Sequence, residues 1–300
     1  MTLLPFVKMH GAGNDYVYLD ERVVGPIDDA PGLAVRIADR HTGVGGDGLI
    51  LIRESDAADG WMQMFNADGS ESEMCGNGLR CVAKHLHDRW LDRPDRMAIQ
   101  TGNGVLTVDV VERDAAGQAT QLKVDMGRPI REPSRIPTLL DPCVDVPLDV
   151  DLAGLPRAGL PLAGLPGGAI RVTAVSMGNP HAVIFFDDPD AVTTQLVHSL
   201  GPRIEHHPAF PNRVNVEFCT TPSRSEFTQR TWERGSGETL ACGTGACAVA
   251  VAGIATGRLD RRVTGHLLGG DLTLAWPSDE ASVEMTGPAE VAFVGEYECA

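Results

Sequence analysis

Glu71-Ser-Glu-Met-Cys75-Gly-Asn-Gly78 and Glu238-Thr-Leu-Ala-Cys242-Gly-Thr-Gly245 hold glutamate, cysteine and two glycines at the same spacing, 167 residues apart. Val82-Ala83 and Val249-Ala250 carry the same offset into the stretches that follow, and Gly13-Asn14 is echoed by Gly178-Asn179. Chance agreement between short glycine-rich strings would not keep one offset over so many positions, so the chain is expected to be α+β, built by internal duplication. Each copy should place a loop and a cysteine at the start of a helix, with the active site in the cleft between the copies.

Outward from these strings, apolar runs and turn residues predict the other elements. Strands are expected over 6–9, 17–19, 49–52, 62–65, 105–110 and 122–126 of the first half, with helices over 34–40 and 78–87. In the second half the strands are 171–175, 182–186, 214–218 and 227–232, followed by an Ala/Val-rich helix over 243–255. Residues 129–166 hold eight of the twenty prolines and the string Leu-Ala-Gly-Leu-Pro twice, at 152–156 and 162–166. So much proline predicts an irregular connector with an insertion and no catalytic part.

Composition narrows the function classes. With 43% hydrophobic and 22% charged residues, the 300-residue chain has globular usage. Its net charge of -16 offers no attraction to nucleic acid or an anionic membrane. No run approaches the roughly 18 apolar residues of a membrane span. Residues 1–10 lack the basic-then-apolar pattern of a signal peptide, so the cytoplasm is the expected compartment. Seven cysteines, with no C-x-x-C pair, argue against a disulfide framework and a finger- or ribbon-type zinc site.

Two of those cysteines stand apart. Cys75 and Cys242 are both predicted at helix N-termini, where free N–H groups and the positive dipole end can lower a thiol pKa from about 8.5 to ~3.5–7.5. Cys81 and Cys247 fall inside the predicted helices, while Cys143, Cys219 and Cys299 have no comparable loop. One such cysteine alone would more simply be a small buried hydrophobe. Two in matching places fit a definite chemistry. Inverting an amino-acid α-carbon needs a proton taken from one face and another delivered to the opposite face, the work of one thiolate and one thiol. Amides near Gly76, Asn77, Gly243 and Thr244 would grip the substrate carboxylate and the developing charge. Pyridoxal phosphate can do similar chemistry from a Schiff-base lysine, but Lys8, Lys84 and Lys123 lie in a strand, a helix and a strand without a phosphate cradle. The chain is therefore expected to need no cofactor and no metal.

Gly43-Val-Gly-Gly-Asp47-Gly48 matches a dinucleotide fingerprint literally, yet a helix precedes it and a strand follows, the reverse of what that fingerprint requires. It predicts a tight loop. Asn14, Asn66, Asn179 and Asn215 each end or interrupt an apolar run. Turn chemistry explains such positions one at a time. Together with Glu233 and Arg234 they form a candidate set for an ammonium and a carboxylate, Arg234 supplying the bidentate fork. His181, close to Asn179, and Glu233 are expected in loops of the second copy and are candidates to act on the thiols.

These strings, together with Met9-His10-Gly-Ala-Gly-Asn14-Asp-Tyr, Phe65-Asn66-Ala-Asp-Gly-Ser, Met177-Gly-Asn179-Pro-His181, Arg213-Val-Asn215-Val and Glu233-Arg234-Gly-Ser-Gly, resemble the diaminopimelate epimerase family in order and across nearly the whole chain. The resemblance implies interconversion of LL- and meso-2,6-diaminopimelate, on the route to lysine and peptidoglycan, without pyridoxal or metal. It implies that Cys75 and Cys242 are the acid–base pair and that His181 and Glu233 tune them. Asn14, Asn66, Asn179, Asn215, Glu233 and Arg234 would contact substrate, with Gly76, Asn77, Gly243 and Thr244 at the reacting carboxylate. It further implies two pseudo-symmetric domains, each a mostly antiparallel sheet or barrel around a central helix, in a homodimer. The domains would be 1–128 plus 287–300 and 129–286. Some members carry a substrate-contacting glutamine where this chain has Gly48, so that contact does not transfer. The rival readings are a proline or hydroxyproline racemase, a thiol redox protein and a binding protein on the same scaffold.

Overall fold

The structure is a computed structural model that describes residues 2–90, 92–154 and 169–299. The chain divides into two compact units, Met1–Asp125 with Thr286–Ala300, and Met126–Met285.

In the first unit, β1 (Thr2–Gly11) turns back as β2 (Asn14–Asp20), and a helical turn α1 (Glu21–Val24) and helix α2 (Ala30–Ala38) cross over to β3 (Gly48–Arg53). β3 lies parallel to β2 and antiparallel to β4 (Gly60–Asn66), which also pairs with the short β5 (Glu71–Ser72). Helix α3 (Gly76–Arg89) leads to β6 (Arg96–Thr101), parallel to β4, and on to the antiparallel β7 (Gly104–Arg113) and β8 (Ala119–Asp125).

The second unit opens with β9 (Val146–Leu148) on β10 (Ile170–Ser176), which turns back as β11 (Pro180–Phe186). Helix α4 (Thr194–Glu205) crosses to β12 (Asn215–Ser223), parallel to β11 and antiparallel to β13 (Glu226–Glu233), which pairs with β14 (Gly237–Thr239). Helix α5 (Gly243–Ala255) leads to β15 (Arg262–Leu267), parallel to β13, and to β16 (Gly270–Ala275). After β17 (Glu284–Pro288), the chain ends in β18 (Glu290–Cys299), which adds antiparallel to β1.

From β1 to β7 and from β10 to β16, element order, strand direction and partner are the same. The duplication read from two short strings therefore runs through the whole topology. In each unit a helix takes the centre. α3 packs on β1, β2, β4, β6 and β8, and α5 on β10, β11, β12 and β16. α5 is buried from Ala246 to Gly253 and apolar all round, as a helix enclosed by sheet must be. α3 also buries Arg80, Lys84, His85 and His87, and each has a partner that makes the burial tolerable. Lys84 reaches Asp88 at 2.8 Å, His85 reaches Asp20 at 2.9 Å, and His87 reaches Asp88 at 2.7 Å.

Some expectations are corrected. α4 was not among the expected elements, and it runs through Gly201-Pro202. The helix tolerates both, with Leu196, Val197, Leu200 and Ile204 as its buried face. Residues 129–154 are more than a connector: Ile136, Cys143, Leu148, Val150 and Leu152 belong to the hydrophobic core of the second unit. The second Leu-Ala-Gly-Leu-Pro string lies outside the described residues. His181, expected in a loop, is fully buried on β11, and Glu233 ends β13. No helix among the described residues is long and apolar enough to cross a membrane.

Candidate active site

Each unit gathers its candidate residues where β-strand ends meet the start of its central helix. In the first, Cys75 is the N-cap of α3, extended at φ -136° and ψ 117°. Its sulfur accepts the Gly78 N–H at 3.4 Å, the bond a serine or aspartate cap would ordinarily make. Gly78 permits this because a β-carbon there would come within 2.7 Å of the Ile50 side chain. The Cys75 thiol donates to Asn14 Oδ1 at 3.2 Å, and Asn77 Nδ2 donates to the same oxygen at 3.4 Å.

Two groups that sequence reasoning missed hold these residues. Asp47, from the glycine-rich loop that only mimics a dinucleotide fingerprint, accepts from Asn14 Nδ2 at 2.7 Å. That bond decides which end of the Asn14 amide faces Cys75. Arg80, fully buried, donates to Asn77 Oδ1 at 2.8 Å. Its cation thus sits within the first turns of α3. Around Asp47, Asp15 is bound by Lys8 at 2.5 Å and Arg40 at 2.7 Å. Burial raises the Asp15 carboxyl, but Arg40 and Lys8 outweigh it and hold the group below the usual range. Asp47 is pushed up instead, first by burial and then by the Asp15 charge beside it.

Asn66 sits apart from the thiol contacts, its amide donating to Ser70 Oγ at 3.0 Å across the turn into β5. Gly48 pairs with Asn66, and a β-carbon there would lie 2.1 Å from the Phe65 carbonyl oxygen, so this backbone leaves no room for a side chain. Gly48 and Asn66 stand 167 residues before Asn215 and Glu233, which extends the duplicated register to the substrate-contact candidates.

The second unit repeats the cap. Cys242 precedes α5, and its sulfur accepts the Gly245 N–H at 3.4 Å. From there a chain of contacts runs inward. Thr244 Oγ1 is 3.5 Å from the sulfur, and Asn179 Nδ2 donates to Thr244 Oγ1 at 3.3 Å. Asn179 Oδ1 is 3.0 Å from His181 Nε2, and His181 Nδ1 is 2.8 Å from Glu217 Oε1. Asn215 Oδ1 accepts the Arg234 N–H at 2.8 Å, while the Arg234 guanidinium bonds the Asn212 carbonyl at 3.1 Å. Glu233 Oε1 accepts the Thr239 hydroxyl at 2.5 Å.

The expected lowering of both thiols fails for Cys242. Burial pushes its thiol well above the ordinary range, and the Glu233 carboxylate, the largest charge acting on it, pushes further. The Thr244 hydroxyl and the Gly245 amide pull the other way but do not win. A helix N-terminus stabilises an anion only by fractions of a kcal/mol up to about 2, less than the loss of water around a thiolate. The other thiols have no cap position: Cys81 is pushed up to about 11 by burial, and Cys219 well above the ordinary range for the same reason. All seven cysteines are free, and no group of three or more metal-binding side chains clusters among the described residues.

The fold of two matched units, each with a central helix, is found in other solved structures. The structure aligns with a Bacillus anthracis phenazine biosynthesis protein of the PhzF family at TM-score 0.72 and 15% identity, covering 100% of both chains. A probable proline racemase from Agrobacterium radiobacter aligns at TM-score 0.67 and 14% identity over 99% of this chain and 93% of that one. The diaminopimelate epimerase family profile matches residues 6–132 and 173–292. The diaminopimelate epimerase of Pelotomaculum thermopropionicum is 48% identical over 97% of this chain and 98% of its own. That of Leptospira biflexa is 46% identical over 98% of both. The chain belongs to the diaminopimelate epimerase family, and it is an isomerase.

Proposed function

We propose that this protein interconverts LL-2,6-diaminopimelate and meso-2,6-diaminopimelate, with Cys75 and Cys242 as the two proton-transfer groups. The observation that carries the mechanism is the matched pair of helix-capping thiols in a duplicated topology. One thiolate takes the α-proton and becomes a thiol. The other thiol gives its proton to the opposite face of the carbanion and becomes the thiolate, so the pair ends with its roles exchanged. Burial favours the neutral form of Cys242.

The amides of Gly76, Asn77, Gly243 and Thr244 open two helices and are suited to the reacting carboxylate, where negative charge grows during proton removal. Asn14, Asn66, Asn179, Asn215, Glu233 and Arg234 are the polar groups available to the rest of the substrate. Its second amino-acid head explains why so many are present, since a cyclic imino acid offers nothing distal to grip. His181 and Glu233 tune the Cys242 thiol, the first through Asn179 and Thr244 and the second by its charge. The protein is expected to work in the cytoplasm as a homodimer.

The test is α-proton exchange in deuterated water, followed by NMR, with LL-diaminopimelate and L-proline offered separately. Exchange confined to diaminopimelate, and lost in both C75S and C242S with their melting temperatures retained, is the expected result. Exchange on proline alone, or either variant turning over at the wild-type rate, would sink the two-thiol reading.

A further inference from the structure

Glu217 belongs to none of the sequence motifs, yet it is one of the most enclosed charged residues in the second unit. Both Glu217 and His181 have no exposed surface. β11 and β12 run parallel with His181 opposite Asn215, which puts Glu217 two residues further along β12, beside the N-terminus of α5. Gly245 is needed there: a β-carbon at that position would lie 2.7 Å from Glu217 Oε1 and 3.0 Å from Gln229 Nε2.

The donors and acceptors of this arm can be counted. Asn179 Nδ2 is spent on Thr244 Oγ1, so Asn179 Oδ1 is the acceptor, and the His181 Nε2 that faces it at 3.0 Å must carry hydrogen. A neutral imidazole then has a bare lone pair on Nδ1, and a carboxylate oxygen 2.8 Å away would meet it acceptor to acceptor. A proton must lie between them. Glu217 Oε2 and Gln229 Oε1, two buried acceptor oxygens, have no hydrogen-bond partner of their own. An uncompensated carboxylate with one oxygen so placed is costly to bury.

We propose that Glu217 is a positioning residue for Cys242: with His181 it forms a buried pair that keeps one proton beyond carboxylate plus neutral imidazole, and that proton fixes the Asn179–Thr244 arm against the thiol. The pair is then net neutral, either as carboxylic acid with imidazole or as carboxylate with imidazolium. No standing charge remains behind the sulfur when it changes state. The groups facing the pair are Cys219 on β12, Gln229 and Thr231 on β13, and Cys242 and Gly245 at α5, with Glu233 acting on it through Cys242. Thr231 is already bound by Gln229 Nε2 at 2.8 Å. None of them is a cation that would hold a bare Glu217 carboxylate.

The inference rests on the proposed two-thiol reaction for its meaning in turnover, but two of its readouts need no substrate. The first is the 15N shift pattern of His181 in the labelled full-length protein, where Nε2 should be protonated at neutral pH in the wild type and in E217Q. The second is the pH midpoint of Cys242 alkylation by iodoacetamide, read by mass spectrometry of the Cys242 peptide. Glutamine keeps the shape and donates to Nδ1, so E217Q should leave that midpoint in place. A standing negative charge at 217 would instead make the midpoint fall by about one unit or more on its removal. The third readout is turnover. E217Q should keep kcat within about threefold of wild type, whereas E217L, which frees the imidazole, should lose kcat on the order of 10²-fold with KM nearly unchanged.

An unprotonated Nε2, a falling midpoint in E217Q, or E217L turning over like the wild type each overturns the proposal. E217L is compared by melting temperature, and E217Q decides the question if E217L does not fold. A wild type that fails to epimerise diaminopimelate would defeat the functional reading alone, leaving the NMR and alkylation results to decide the buried proton.

Discussion

Replacing Asp47 with alanine tests the candidate site of the first unit at its least obvious support. One Asp47 oxygen accepts both Asn14 Nδ2 at 2.7 Å and the Asp15 N–H at 3.0 Å, and the other meets Arg40 at 3.0 Å. Arg40 keeps its bond to Asp15 in the variant, so the loop should hold and the melting temperature should fall only slightly. What is lost is the partner that distinguishes the two ends of the Asn14 amide. A hydrogen bond to a charged group contributes roughly 1.5–3 kcal/mol. At 1.36 kcal/mol per factor of ten, misorienting Asn14 beneath Cys75 should cost about 10- to 150-fold in kcat. D47N can still accept from Asn14, without the charge, and should fall between alanine and wild type.

The assay is the initial rate of Cα exchange on LL-diaminopimelate in deuterated water, with thermal melting alongside. There is also a sign in pH. Burial and the neighbouring Asp15 charge raise the Asp47 carboxyl above the usual range. Falling pH therefore protonates it earlier than an ordinary aspartate and weakens the Asn14 bond, giving an acid limb that D47N should lack. D47A with kcat within twofold of wild type would refute the argument, because Asn14 would then be oriented by something other than Asp47.

Two further outcomes follow from the packing around the helix starts and the first sheet. Gly245→Ala places a β-carbon 2.7 Å from Glu217 Oε1 in a fully buried spot, and overpacking of this kind costs about 1–3 kcal/mol. Chemical denaturation should show that loss, and a double-mutant cycle with E217A should recover part of it; additive losses would show that the two side chains do not meet. Asp20 is held below the usual carboxylate range: burial opposes, but the bonds from His85 and Arg22 prevail. A depressed folded-state value means its contribution is present above the unfolded value near 3.9 and is lost as pH falls toward the folded one. D20N should therefore melt lower than wild type at pH 7, with the gap closing in acid; a gap independent of pH would show that packing, not ionisation, is responsible.

The candidate site was legible where its geometry is local. An N-cap, the glycine three residues on, and the first turn of a helix lie within four residues of one another, so Cys75-Gly-Asn-Gly78 and Cys242-Gly-Thr-Gly245 could be placed from the strings alone. Repetition then selected Cys75 and Cys242 out of seven cysteines. Helix α4 was not read from the sequence; it contains Gly201-Pro202, and packing of its apolar face into the second core holds it. The glycine-rich loop at 43–48 was recognised as a false fingerprint, but nothing in its spacing says that its aspartate reaches Asn14, 33 residues earlier.

By itself, then, the sequence determined a duplicated α+β chain with two cysteines in matching positions at helix starts, because period, offset and capping are properties of neighbours along the chain. Only the tertiary structure decided which buried groups surround each thiol. Arg80 is buried in the first turns of one helix, while the Glu217–His181 pair and Glu233 stand behind the thiol of the other. Charge and desolvation act through space, between strands that folding makes adjacent, and a repeated string of residues carries no record of which buried group will lie beneath it.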